Sequence, residues 1–144
     1  MLSHDLQAPS VFTPEAVVAA VRAGRPRVDA PVPAVCVLDF DGDLTDALLA
    51  QQVASPCPAW ACFHTTLYRV TVDGRVCGLI PRTIGGPYAV LVSEQLAVSG
   101  ARVVLGLTSA GGIAEDLPVP SVVVAEAALR DEGTSFHYLA PGIG

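Results

Sequence analysis

The sequence predicts an α/β protein with three layers, a twisted mixed sheet flanked by helices. Residues 34–38 and 101–107 are short, continuously apolar runs of the kind that form strands covered on both faces. Each leads into a polar or small-residue loop, and helix-patterned segments lie between the runs. Between them Asp73-Gly74 separates two strand-like runs, 65–72 and 75–80, and suits the positive backbone angles of a tight hairpin turn. The hairpin supplies an antiparallel pair and makes the sheet mixed.

The first element is a helix. Thr13 can cap it, Pro14 suits its first position, and Gly24 stops it. Residues 25–33 hold three prolines and read as an extended linker, so residues 1–33 form an N-terminal helix and linker ahead of an α/β domain at 34–144. The strand at 34–38 turns through Asp41-Gly42-Asp43 into a helix at 44–53, which has helical spacing and no glycine or proline. Gly85-Gly86-Pro87 opens another helix over 88–99, closed by Gly100. The strand at 101–107 is expected to be the most buried, and ends in the small-residue loop Thr108-Ser109-Ala110-Gly111-Gly112. A further strand is expected at 121–125. Ligand groups in such folds gather at the carboxyl ends of strands, which draws attention to residues 39–46 and 108–112.

Composition removes several classes of function. Hydrophobic residues make up 51% and charged residues 15% of the 144, enough to bury a core and contrary to disorder. Eight cations, all arginine, face 14 acids for a net charge of −6, and only Arg22, Arg25 and Arg27 lie close together, which argues against nucleic-acid binding. No apolar run reaches the roughly 18 residues of a membrane span. The first ten residues lack a basic segment followed by an apolar signal core, so a cytoplasmic location is expected. Cys36, Cys57, Cys62 and Cys77 match no zinc spacing, so no metal is expected and reduced packing thiols are the plain reading.

The run from Leu38 to Asp46 resembles the first motif of haloacid-dehalogenase-type phosphatases, in which a strand end presents a nucleophilic aspartate and a second carboxylate two residues on. That resemblance covers nine residues, and the chain has no lysine for the motif that neutralises phosphate. The plain alternative is an acidic turn capping the helix that begins near Thr45.

A longer, ordered set of features resembles the nucleoside phosphorylase superfamily, in particular its uridine phosphorylase and bacterial purine nucleoside phosphorylase branch. The set comprises the hairpin about Asp73-Gly74, Ile84-Gly85-Gly86-Pro87 with Glu94-Gln95-Leu96, the loop 105–113, and Arg130-Asp131-Glu132-Gly133-Thr134-Ser135-Phe136-His137-Tyr138. The resemblance implies cleavage of the N-glycosidic bond of a nucleoside, by phosphorolysis or hydrolysis, with phosphate as a possible co-substrate and no other cofactor. It implies Gly42, Asp43, Ser109, Arg82 and His64 around phosphate and ribose, and Thr108, Ala110, Gly111, Gly85 and Gly86 as substrate loops. Arg130, Thr134, Ser135 and His137 would shape the entrance.

Three arginines that hold phosphate in the family are replaced, by Asp46, Phe63 and Gly106. Each charge-assisted hydrogen bond so lost is worth roughly 1.5–3 kcal/mol. The later family segments that grip ribose and base are not in this sequence, so the phosphorylase-like domain is expected to be incomplete in this chain. A homo- or hetero-oligomer is therefore expected, with a partner chain supplying the C-terminal half. The alternatives are a non-catalytic interaction subunit of the same fold and the magnesium phosphatase.

Overall fold

The computed structural model describes residues 5–26, 28–113, 115–116 and 118–140. Arg27, the first four residues and Pro141, all part of the motifs and segments above, lie outside them. The chain divides into two compact units. One is residues 10–108; the other joins the segment before it to residues 109 onward.

The larger unit holds a mixed five-stranded sheet and three helices, the α/β arrangement that the sequence predicts. The elements are α1 (Pro14–Ala23), β1 (Val35–Asp39), α2 (Asp43–Ala50), β2 (Ser55–Pro56), β3 (Tyr68–Val72), β4 (Arg75–Pro81), α3 (Gly86–Val98) and β5 (Val103–Leu107). Sheet order is β2-β3-β4-β1-β5. β1 pairs in parallel with β4 and β5, while β3 is antiparallel to β4 and to β2. The hairpin forms as expected: Val72 pairs with Arg75 across Asp73 (φ 48°) and Gly74 (φ 75°), both left-handed as a two-residue turn requires. Thr13 caps α1 through its hydroxyl, which accepts from the Ala16 amide at 3.3 Å.

The larger core cluster lies on one face of the sheet, and Leu79, on the other face by alternation, is buried as well. Cys36, Leu38 and Ile80 share the first face by register and are buried with Leu67, Trp60, Val92 and Leu96, so α3 and the chain before β3 close over β1 and β4. Gly78 sits opposite Cys36, where an added Cβ would lie 2.7 Å from the Cys36 Sγ and 2.8 Å from Leu67 Cδ1. Only a residue without a side chain permits that close approach. On α1, Val18 and Val21 pack with Ala61 and Val98, so the N-terminal helix belongs to the same unit as the sheet. All four cysteines are free thiols, and burial pushes Cys36 up to about 12, with Cys57 and Cys77 nearby adding to the effect.

Two expectations are corrected. The strand expected to be most buried is β5, and it is exposed along its whole length because it is the edge of the sheet. An apolar run reads the same whether or not a neighbour is present to cover it. Residues 121–125 adopt no regular structure, and Val122, Val123 and Val124 are exposed, since a strand forms only where another strand supplies its hydrogen bonds. The smaller unit contains a single 3₁₀ turn among its described residues, Ser135–His137.

Candidate functional site

The carboxyl ends of β1 and β4 lie side by side, and the groups that follow them form the candidate site. β1 ends in Asp39, which is buried at 3% exposure. Its Oδ2 accepts from the Thr45 amide at 2.8 Å and the Thr45 hydroxyl at 2.7 Å, and its Oδ1 accepts from the Gly42 amide at 3.2 Å. Gly42 precedes α2 without offering a side-chain cap, so Asp39 takes over that task from outside the helix. Both oxygens are thereby engaged, and Asp39 is not presented as a nucleophile. The capping reading of the acidic loop holds, with the carboxylate buried instead of solvated, and the phosphatase reading loses its central residue.

Gly42 has φ +90°, and Arg82 lies against it: an added Cβ would stand 3.0 Å from Arg82 Cγ and 3.1 Å from its Cζ. Arg82 follows β4 and is itself left-handed, φ 58°, with its amide donating to the Asp39 carbonyl at 2.8 Å. A non-glycine residue in that region is strained, and such strain gathers at functional sites. The guanidinium reaches across to Asp46 on α2, forming a hydrogen-bonded ion pair. That bond to Asp46 pushes the Arg82 pKa above its ordinary value, with Asp39 and Asp43 adding to the effect. Arg82 thus lies against Gly42, with Asp43 near enough to act on its charge. The cation is already engaged by Asp46.

The chain from Arg82 runs directly to Gly85, φ +100°, which precedes α3, and to Gly86, the first residue of that helix. Both are exposed, and no atom outside the local chain lies within 4 Å of where a Gly85 Cβ would stand. Between them and Arg82, Thr83 is fully buried with an Oγ1 that has no partner, a polar feature that a lone threonine in the sequence did not signal. His64 is exposed in the chain before β3, with its ring 6.3 Å from that of Phe63. Gly106 on β5 is covered by the Phe40 ring, 2.9 Å from where a Cβ would stand, so that position cannot hold a longer residue without moving Phe40. Thr108 closes this unit.

In the second unit, Ser109, Ala110 and Gly111 are exposed and without regular structure. The segment expected at the entrance forms a hydrogen-bonded turn. Arg130 donates from Nε to the Ser135 hydroxyl at 3.0 Å, from Nη2 to the Leu139 carbonyl at 2.9 Å and from Nη1 to the Ala140 carbonyl at 3.1 Å. Its guanidinium also lies 4.6 Å from the centre of the Phe136 ring. Glu132 accepts from the Thr134 amide at 2.6 Å and the Ser135 amide at 3.1 Å, and the hydrogen bonding from Ser135 and then Thr134 pulls its pKa down. The His137 amide donates to the Thr134 carbonyl at 3.0 Å. Arg130, Thr134, Ser135 and His137 therefore share one turn.

Among the described residues no group of three or more His, Cys, Asp or Glu side chains could hold a metal ion. No helix among them is long and apolar enough to cross a membrane.

Comparison with known proteins bears on the same stretch. Uridine phosphorylase from Salmonella typhimurium is 33% identical over 73 residues, and the protein of that name from Treponema pallidum is 34% identical over 73. The matches cover 51% and 48% of this chain, but 29% and 28% of those relatives' lengths. The chain thus spans under a third of the curated relatives it matches. A solved structure, purine nucleoside phosphorylase from Toxoplasma gondii in complex with immucillin-H, is 23% identical with a TM-score of 0.43, over 53% of this chain and 30% of that one. The family model for the phosphorylase superfamily matches residues 34–142, which include every strand of the sheet and all the candidate site residues, and the chain belongs to that superfamily.

Proposed function

We propose that this chain takes part in cleaving the N-glycosidic bond of a nucleoside, as one subunit of a homo- or hetero-oligomer in which a partner polypeptide supplies the groups that grip ribose and base. The observation that carries the reading is the gathering of Gly42, Asp43 and Arg82 at the adjoining carboxyl ends of β1 and β4, within the stretch that matches the superfamily. Ser109 and Gly111 belong to the loop that would face the sugar. Arg130, Thr134, Ser135 and His137 would border the entrance.

Water is the acceptor in this reading. Arg82 is engaged by Asp46, and Phe40 closes position 106, so the charge that would hold phosphate is largely cancelled. The water oxygen adds to the anomeric carbon as the C–N electron pair leaves with the base, and Asp43, exposed on the first turn of α2, accepts the water proton. The reaction needs no cofactor, and a cytoplasmic assembly without nucleic acid or membrane accompanies the reading.

The test is base release from uridine and from purine nucleosides by the chain purified with its co-eluting partner, with and without phosphate. Release independent of phosphate and lost in Asp43→Asn is expected; release that requires phosphate would make phosphate the acceptor. The Arg82–Asp46 pair also favours a second reading, a non-catalytic subunit of the same fold. Absence of base release from the complete assembly would establish that one.

A further inference from the structure

Residues 57–67, which connect β2 to β3, form a compact loop whose base is closed by the Cys57 amide donating to the Leu67 carbonyl at 2.7 Å. Cys57, Ala59, Trp60, Ala61, Cys62 and Leu67 are buried, while Phe63 and His64 are exposed at its tip. The Trp60 indole N–H donates across the loop to the Thr65 carbonyl at 3.1 Å, and the His64 amide donates to the Cys62 Sγ at 3.4 Å. Phe63 and His64 thus stand on a frame set by Trp60 and Cys62.

That frame is gripped from outside the loop. The Arg25 guanidinium donates from Nη1 to the Trp60 carbonyl at 2.9 Å and from Nη2 to the Cys62 carbonyl at 2.8 Å. Between those two residues, Ala61 packs with Val18 and Val21 of α1 and with Val98 of α3, in a cluster separate from the one over the sheet. Arg25 is fastened to the helix in turn, its amide donating to the Arg22 carbonyl at 3.1 Å. One segment, α1 with Arg25, therefore holds residues 60, 61 and 62 together. The segment precedes the superfamily match at residues 34–142, and the loop lies within it.

We propose that α1 and Arg25 form a strap that opens as a unit, and that its docking orders the loop bearing Phe63 and His64. The strap is held by two charge-assisted hydrogen bonds and the small Val18, Val21 and Ala61 cluster, whereas the sheet is held by the larger cluster. Proteins open in cooperative units of unequal stability, and a unit with less buried apolar contact opens first. On opening, the carbonyls of Trp60 and Cys62 lose the guanidinium and Ala61 loses its cover, so the loop loosens with the helix. The resemblance places His64 about phosphate and ribose, and the strap would then regulate the order of that residue. This last step rests on the nucleoside reading; the strap itself does not.

Native-state hydrogen exchange of the full-length ¹⁵N-labelled protein in dilute urea tests the proposal. The α1 amides, the Trp60 indole N–H and the His64 amide should share one opening, about tenfold or more easier than that of the Cys36 to Leu38 amides of β1. Arg25→Ala should speed exchange across that whole set about tenfold or more and leave the β1 amides unchanged. Val21→Ala should do the same, although it alters no hydrogen-bonding group of the loop. Arg25→Lys, which lacks the fork that reaches two carbonyls, should fall between Arg25→Ala and the parent. Unchanged protection of Trp60 and His64 while α1 loosens would overturn the coupling, and β1 amides speeding in step with α1 would overturn the strap. Should the variants fail to fold, the urea series on the parent protein decides, because separate openings for α1 and Trp60 there would overturn the proposal. Base release by the complete assembly tests the nucleoside reading separately, so each failure is recognised by its own measurement.

Discussion

Arg82 and Asp46, 36 residues apart in the chain, are joined in an ion pair that bridges the carboxyl end of β4 to α2 and passes beside the backbone of Gly42. In the proposed site the pair would compete with an anion for the Arg82 guanidinium. Their side chains are 58% and 54% exposed, so solvent screens the interaction and its worth to folding is small.

Replacing Asp46 should therefore separate the two effects. Asp46→Arg is expected to change unfolding free energy by less than about 1 kcal/mol. It should also raise phosphate affinity by about tenfold or more, as one charge-assisted contact is added and a competitor removed. Phosphorus NMR titration alongside urea unfolding checks both.

Asp39 behaves in the opposite way, because it is buried and structural. Asp39→Ala removes the acceptor for the Gly42 and Thr45 amides and the Thr45 hydroxyl, and should cost about 2–4 kcal/mol in urea unfolding. Asp39→Asn retains some of these bonds and should cost less. An unchanged stability in Asp39→Ala would remove its capping role.

Gly42→Ala places a side chain at φ +90° and pushes on the Arg82 stem. The left-handed conformation alone costs roughly 1–2 kcal/mol. The Arg82 Nε–H resonance should move as the ion pair is displaced. Stability loss without that movement would show that Arg82 is not seated on Gly42.

Burial raises the Cys36 thiol from 9.0 to about 12, so the unfolded chain ionises first as pH rises. Its contribution is complete below pH 9 and is lost between there and about 12, at a slope near 1.4 kcal/mol per pH unit. The urea midpoint should fall with alkaline pH, and fall less steeply in Cys36→Ala. Glu132 has the reverse sign: hydrogen bonds lower its pKa below 4.5, so the order it confers on residues 134–135 is lost as acid protonates it. The Thr134 and Ser135 amide signals should report that loss with a midpoint under 4.5.

Much of the fold is legible from spacing. Asp73-Gly74 announces its turn because local backbone angles decide it, and Thr13 with Pro14 announces α1 for the same reason. Burial is not local. The apolar run at 103–107 carries the composition of a central strand but lies at an edge, and residues 121–125 have strand composition but no strand partner. At the candidate site, Gly42 and Asp43 are proposed from the family resemblance, and Arg82 from its place ahead of two glycines. The pairing of Arg82 with Asp46, the burial of Asp39 and the unpaired Thr83 hydroxyl depend on how β1 and β4 align, which no stretch of sequence states.

β5 works like half of a fastener. Along its outer side the amide and carbonyl groups form a ready template, and Val103, Leu105 and Leu107 line up beside them on one sheet face. Concentrating the lone polypeptide should raise light scattering as copies zip together there, and co-production with a companion that seals the seam should suppress it. The practical shelf life of this molecule is then set by the company it keeps.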